Sequence, residues 1–131
     1  MKQAKAQTVS GLQLQFSEKA DEVLHAQVAQ GLLVCAFGAN RGGFFHVSST
    51  ALAQGEKLFA ELIRGIEKGC SVKLIGSEDC RAKAKKWVEK AGCSLVSDLQ
   101  FENFEAFVYP KQGRVRLSEV STPAVSPLKL A

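Results

Sequence analysis

Residues 31–50, GLLVCAFGANRGGFFHVSST, hold two apolar runs separated by a short loop rich in glycine and asparagine. The first run, GLLVCAF, is unbroken and of strand length, the pattern of a strand buried on both faces. Glycine and asparagine tolerate positive φ, so GANRGG permits a tight reversal, and FFHVSS reads as the returning strand of a hairpin. Cys35 and His46 both lie on this hairpin. Register decides whether they meet, because facing residues of an antiparallel pair have numbers that sum to a constant. If Gly38 faces Gly43, Cys35 faces His46 with β-carbons about 5 Å apart. If the pairing is tighter by two residues on each strand, His46 faces Gly31, and Cys35 lies about 13 Å along the strand from that partner. Both registers put the two side chains on one face of the sheet.

Upstream, GLQLQFS alternates, with Leu12, Leu14 and Phe16 on one face, and reads as a half-buried strand. EKADEVLHAQVAQ reads either as a turn and a strand or as a short helix. Downstream, a helix starts near Ser49 or Thr50, where either hydroxyl can cap it. Leu52, Phe59, Leu62, Ile63 and Ile66 share one face of that helix, and Gly69 stops it. Gly55 and Gly65 inside the segment weaken it or admit a closely packed neighbour. SVKLIGS is a short buried strand, residues 78–91 form a second helix ended by Gly92, and CSLVSDLQF, FEAFVYP and RVRLSEV are further strands.

The order β-β-β-α-β-α-β-β, with RVRLSEV after the KQG turn, predicts an α+β fold. It is a layered α/β sandwich of mainly antiparallel sheets with two main helices, since a doubly wound parallel sheet needs strict alternation. The chain divides into a polar N-terminal arm over 1–10, one domain over 11–120 and a tail over 121–131. The tail, STPAVSPLKLA, has two prolines and no periodicity, and is expected to be disordered or a docking peptide.

With 131 residues, 46% apolar and 23% charged, the chain can bury a core without disulfides or metal. No apolar run approaches the roughly 20 residues needed to cross a bilayer, so membrane insertion is not expected. The start, MKQAKAQTVS, lacks the apolar core of a secretion signal, which points to a cytoplasmic protein with free thiols. Cys35, Cys70, Cys80 and Cys93 form no C-x-x-C pair, and their spacing with His25 and His46 matches no familiar zinc pattern. No glycine-rich phosphate loop is present, so neither metal nor cofactor is expected. The formal charge of +4 owes much to Arg81, Lys83, Lys85, Lys86 and Lys90. A nucleic-acid patch with Trp87 as a stacking group is one reading. The other is stronger: Cys80, Ala84, Trp87, Val88 and Ala91 form one apolar helix face, so Trp87 is core and the lysines are a solvated surface.

Several fragments, in one order, resemble the chemotaxis receptor deamidases of the CheD type. GGFFH (42–46) is similar to the family's glycine pair followed three residues later by its active-site histidine. GEKLFAELIRGIEKGCSVKLIGS resembles its long helix and the strand after it, AKKWVEKAGCSLVSDLQF its second helix and strand, and FVYPKQGRVRL its closing hairpin. The likeness covers residues 30–117. It implies layered sheets and helices and a cysteine hydrolase. In that chemistry a thiolate attacks a receptor glutamine amide, ammonia leaves, and water releases glutamate; methylated glutamate is an alternative substrate. His46 carries over as the family's histidine. The family's nucleophile position falls on Gly31, its assisting threonine has no match among His25, Ala26 and Gln27, and QFENFEAF replaces a glycine-rich stretch ending in arginine.

Amide hydrolysis by cysteine needs a thiolate, and a thiol near pKa 8.5 needs a neighbouring base or positive potential. Cys35 and His46 are therefore the candidate catalytic pair, and Cys35 serves only if His46 is within hydrogen-bond reach. The family comparison favours the register that puts His46 opposite Gly31 and makes Cys35 a buried mid-strand residue. Cys70 and Cys80 lie at element boundaries beside charge, where a thiol pKa can be lowered; Cys93 follows a helix-ending glycine and reads as structural. The leading expectation is a CheD-like protein of chemotaxis-type signalling, a glutamine deamidase whose partner is a chemoreceptor or another signalling protein. The alternatives are a catalytically silent CheD-like binding module and a small basic nucleic-acid-binding domain.

Overall fold

The run at 31–37 forms the central strand of the molecule. The computed structural model describes residues 15–17, 23–39, 41–66 and 70–119. Its strands are β1 (Gln15–Ser17), β2 (Leu24–Ala29), β3 (Gly31–Phe37), β4 (Gly42–Ser48), β5 (Ser71–Gly76), β6 (Ser94–Gln100), β7 (Asn103–Tyr109) and β8 (Arg114–Glu119). Its helices are α1 (Gly55–Ile66) and α2 (Glu78–Ala91), with 3-10 turns over Ser49–Gln54 and Pro110–Gln112. One sheet has the order β1-β4-β3-β5-β6 and the other β2-β7-β8. Among the described residues the pairings are antiparallel except that of β5 with β6.

The layers follow from alternation along β3. Leu32, Val34 and Ala36 face the helix layer, where they pack with Phe45, Val47, Val72 and Leu74 against Phe59, Leu62, Ala84 and Val88. Leu33, Cys35 and Phe37, with Phe44 and Ile75, face the second sheet, against Leu24, Ala26, Val28, Phe104, Ala106 and Val108. A strand covered on both sides must be apolar throughout, and all seven residues of β3 are buried. The fold is thus α+β, a layered sandwich of mainly antiparallel sheets with two helices. No helix among the described residues is long and apolar enough to cross a membrane.

Several details differ from the sequence expectation. The ambiguous stretch before β3 is a strand, β2, with Leu24, Ala26 and Val28 inward and Gln27 and Ala29 outward. The helical segment does start at Ser49, but as a 3-10 turn that runs into α1 only at Gly55, and no side-chain cap forms at its start, where the Ser48 and Thr50 hydroxyls bond each other at 3.0 Å. The two interior glycines mark close approaches. A Cβ at Gly55 would fall 2.5 Å from the Trp87 ring, and one at Gly65 2.6 Å from the Phe16 ring. The arm at 1–10, the tail at 121–131, Leu12, Leu14 and Gly69 lie outside the described residues.

Arg81, the first cation of the basic run, is buried and not part of the charged surface, being only 8% exposed. Its Nε donates to the Gly76 carbonyl at 3.1 Å, and its other nitrogens donate to Asp98 at 2.5 Å and Gln100 at 3.4 Å. Lys85 reaches the other Asp98 oxygen at 2.6 Å. The Lys85 hydrogen bond, followed by that of Arg81, holds the Asp98 carboxyl below the usual carboxylate range. One guanidinium thus ties the start of α2 to the ends of β5 and β6. Replacing Arg81 by methionine keeps the stem's packing and deletes the charge-assisted bonds, so a loss of about 2 kcal/mol in urea denaturation is expected.

Candidate functional site

His46 sits near the end of β4, on the face that meets the second sheet. The register of β3 with β4 pairs Leu33 with His46, Cys35 with Phe44, Gly31 with Ser48 and Phe37 with Gly42. Neither expected pairing occurs: His46 faces neither Cys35 nor Gly31. The hairpin loop is fixed from outside. Gly38 accepts a close approach from Ile66, Gly42 from Pro110, and the Gly38 N–H donates to the Arg41 carbonyl at 2.9 Å. Cys35 and His46 do share one face, as diagonal neighbours, an arrangement that separates β-carbons by about 7–8 Å.

The chemistry of each group follows from its surroundings. Cys35 is 0% exposed, and burial pushes its thiol well above the ordinary range, only partly offset by Lys73 on the adjacent strand. His46 is 7% exposed, and its Nε2 has no hydrogen-bond partner among the described residues. No hydrogen bond links it to Cys35. Burial lowers the His46 pKa, so the imidazole is neutral at neutral pH. A buried, unsatisfied ring nitrogen costs about 1–3 kcal/mol.

The sign of that shift predicts a pH effect. A histidine whose pKa falls on folding leaves stability intact above its unfolded pKa of about 6.5 and erodes it as pH falls below that value. The erosion attributable to His46 is at most about 1.4 kcal/mol per pH unit. Urea denaturation at pH 7.5 and 5.5 is expected to show it in the wild type, and the difference should shrink in His46→Leu.

Gly31, the residue that the CheD-type resemblance aligns with a nucleophile, lies where strand ends converge. Gln30, before it, has a positive φ of 50° and links β2 to β3. Its N–H donates to the Glu102 carbonyl at 2.7 Å, and its carbonyl accepts from Ser49 N–H at 3.2 Å. The Gly31 carbonyl accepts from Ser77 N–H at 3.2 Å. A Cβ on Gly31 would overlap the Val47 carbonyl oxygen and press on Ser48 Cα. Backbone fills the space where a side chain would stand.

The remaining candidates lie elsewhere. His25 is on the opposite face of β2 from Ala26, bonded to Glu105 at 2.8 Å and stacked on Phe107 at 4.7 Å. Cys80 is buried in the helix layer. Cys70, expected to have a lowered pKa if any, instead has it pushed up to about 12 by burial and by its hydrogen bond to Cys93. Cys70 and Cys93 bring their sulfurs to 3.3 Å, a contact the sequence reading missed. Among the described residues no cluster of three or more His, Cys, Asp or Glu is placed to hold a metal ion. A groove of about 340 Å³, lined by Phe59, Ile63, Trp87 and Lys90, belongs to the helix layer, across the sheet from His46.

No family model matches the sequence, and no curated protein matches it. The fold is similar to the crystal structure of a Neisseria meningitidis protein described by the family model DUF152, with 10% sequence identity and a TM-score of 0.48. The likeness covers 66% of this chain and 51% of that one, so the chain spans about half the length of that protein.

Proposed function

We propose that this chain is a CheD-like protein-binding module of chemotaxis-type signalling that has lost the amide hydrolase chemistry. The observation that carries this reading is the filled space at Gly31, where a nucleophile would need to stand. Cys35 does not replace it: a thiolate needs a stabilising charge or a bonded base, and Cys35 is sealed without a bond to His46. The surface supports a binding role. Strand β6 is an edge of the larger sheet among the described residues, and along it Leu95, Val96 (52%) and Leu99 are exposed, apolar side chains beside an edge that a partner protein can cover.

The test uses a cytoplasmic chemoreceptor fragment containing glutamine. The module binds it without releasing ammonia, binding is unchanged by Cys35→Ala, and it is weakened at least tenfold by Val96→Lys. Ammonia release that Cys35→Ala abolishes would overturn the loss of chemistry. Failure to bind the fragment would overturn the partner.

A further inference from the structure

We propose that Cys70 and Cys93 form a reversible disulfide, made by exchange with a low-molecular-weight disulfide, that locks the β5–α2–β6 crossover. Their sulfurs lie 3.3 Å apart, and forming the bond at about 2.05 Å requires a closure of only about 1.3 Å. The backbone is already set for it. Each cysteine directly precedes a residue of the first register pair of the parallel strands, Ser71 with Ser94. The Ser94 N–H donates to the Cys70 carbonyl at 3.3 Å, so the strands are joined at this level. Neighbouring strands run about 4.8 Å apart, inside the Cα separation of roughly 4.4–6.8 Å that a disulfide spans. Room for adjustment exists on the Cys93 side: Gly92 holds a left-handed φ of 72°, and a Cβ built there would touch nothing within 4 Å.

The two sulfurs differ in a way that assigns their roles. Cys70 is buried, whereas Cys93 is partly exposed at the end of α2. Cys93 is therefore the sulfur that an external disulfide reaches. Its thiolate attacks one sulfur of that disulfide, the external S–S bond breaks, and one small thiolate leaves. Cys70 keeps its proton until then, because burial and the bond to Cys93 hold its pKa near the top of the accessible range, at about 12. In the second step Cys70 gives up its proton to the departing small thiolate and attacks the Cys93 sulfur, expelling it. The balance closes: two protein thiols become one cystine, and one external disulfide becomes two thiols.

The bond would close a loop through α2 and restrict the unfolded chain, so the oxidised protein should melt at least about 5 °C higher than the reduced one. The test equilibrates the full chain in mixtures of reduced and oxidised glutathione, traps free thiols by alkylation and maps the peptides by mass. The expected result is loss of two hydrogens with the Cys70 and Cys93 peptides linked, at an oxidation midpoint that is the same when approached from either side. Cys93→Ser abolishes the link, and Cys70→Ser accumulates one glutathionyl group on Cys93. Should Cys70→Ser not fold, brief alkylation of the native wild type replaces it: Cys93 is modified before Cys70, and that modification blocks the link. No linked peptide at any glutathione ratio, or the same mass loss in Cys93→Ser, overturns the proposal.

Discussion

Replacing Gly31 by cysteine destabilises the chain by more than about 3 kcal/mol and creates no amide hydrolase. The new Cβ meets the Val47 carbonyl oxygen and Ser48 Cα, which are backbone atoms and cannot swing aside as a side chain can. Nor can the strand carrying Gly31 retreat easily. Its carbonyl is held by Ser77 N–H, and the preceding residue, Gln30, is already in a left-handed conformation and bonded at both its N–H and its carbonyl. Gly31→Ala brings the same Cβ without the thiol and should lose a comparable amount, which separates the steric effect from any chemistry. Urea denaturation measures both variants, and an ammonia assay of the cysteine variant completes the comparison. A stable Gly31→Cys protein that releases ammonia from a receptor glutamine would show that the strand yields where it is expected to resist.

Phe44→Ala is expected to cost about 3–5 kcal/mol and to open Cys35 to reagents. Phe44 is fully buried between the sheets and is the residue directly opposite Cys35 on β4. Truncation removes a ring from a layer whose other members, Leu33, Phe37, Phe104 and Val108, lie on strands fixed by their own pairing, so the cavity closes only in part. Phe44→Leu keeps much of the volume and should lose less than half as much. Denaturation gives the energies, and mass-mapped alkylation under native conditions reports Cys35, which should react measurably faster in the alanine variant.

The hairpin and the helix of residues 78–91 were legible because each is a local pattern: an unbroken apolar run with a glycine-rich reversal, and an apolar helix face with a terminal glycine. Register was not. It depends on Ile66 packing on Gly38 and Pro110 on Gly42, contacts that no window around the loop contains. Strand β2 was ambiguous because alanine and glutamine suit a helix, and its strand state is fixed by β7, as in the pairing of Ala26 with Ala106. Arg81 looked like one more cation in a basic run, since its partner Asp98 lies on another element. For the site, the shared face of Cys35 and His46 was readable from parity, but the depth of Cys35 was not, because β2 and β7 supply the cover. The Cys70–Cys93 contact did leave a signal: each cysteine directly precedes a strand, and one helix joins those two strands.

Native-state alkylation of Cys35 as a function of pH tests the account most directly, with each cysteine followed by peptide mass. If the thiol is sealed and unassisted by His46, Cys35 reacts across pH 6–9 no faster than the protein unfolds, while Cys93 is modified readily. Rapid modification of Cys35 at neutral pH, with a midpoint below the ordinary thiol value of about 8.5, would contradict it.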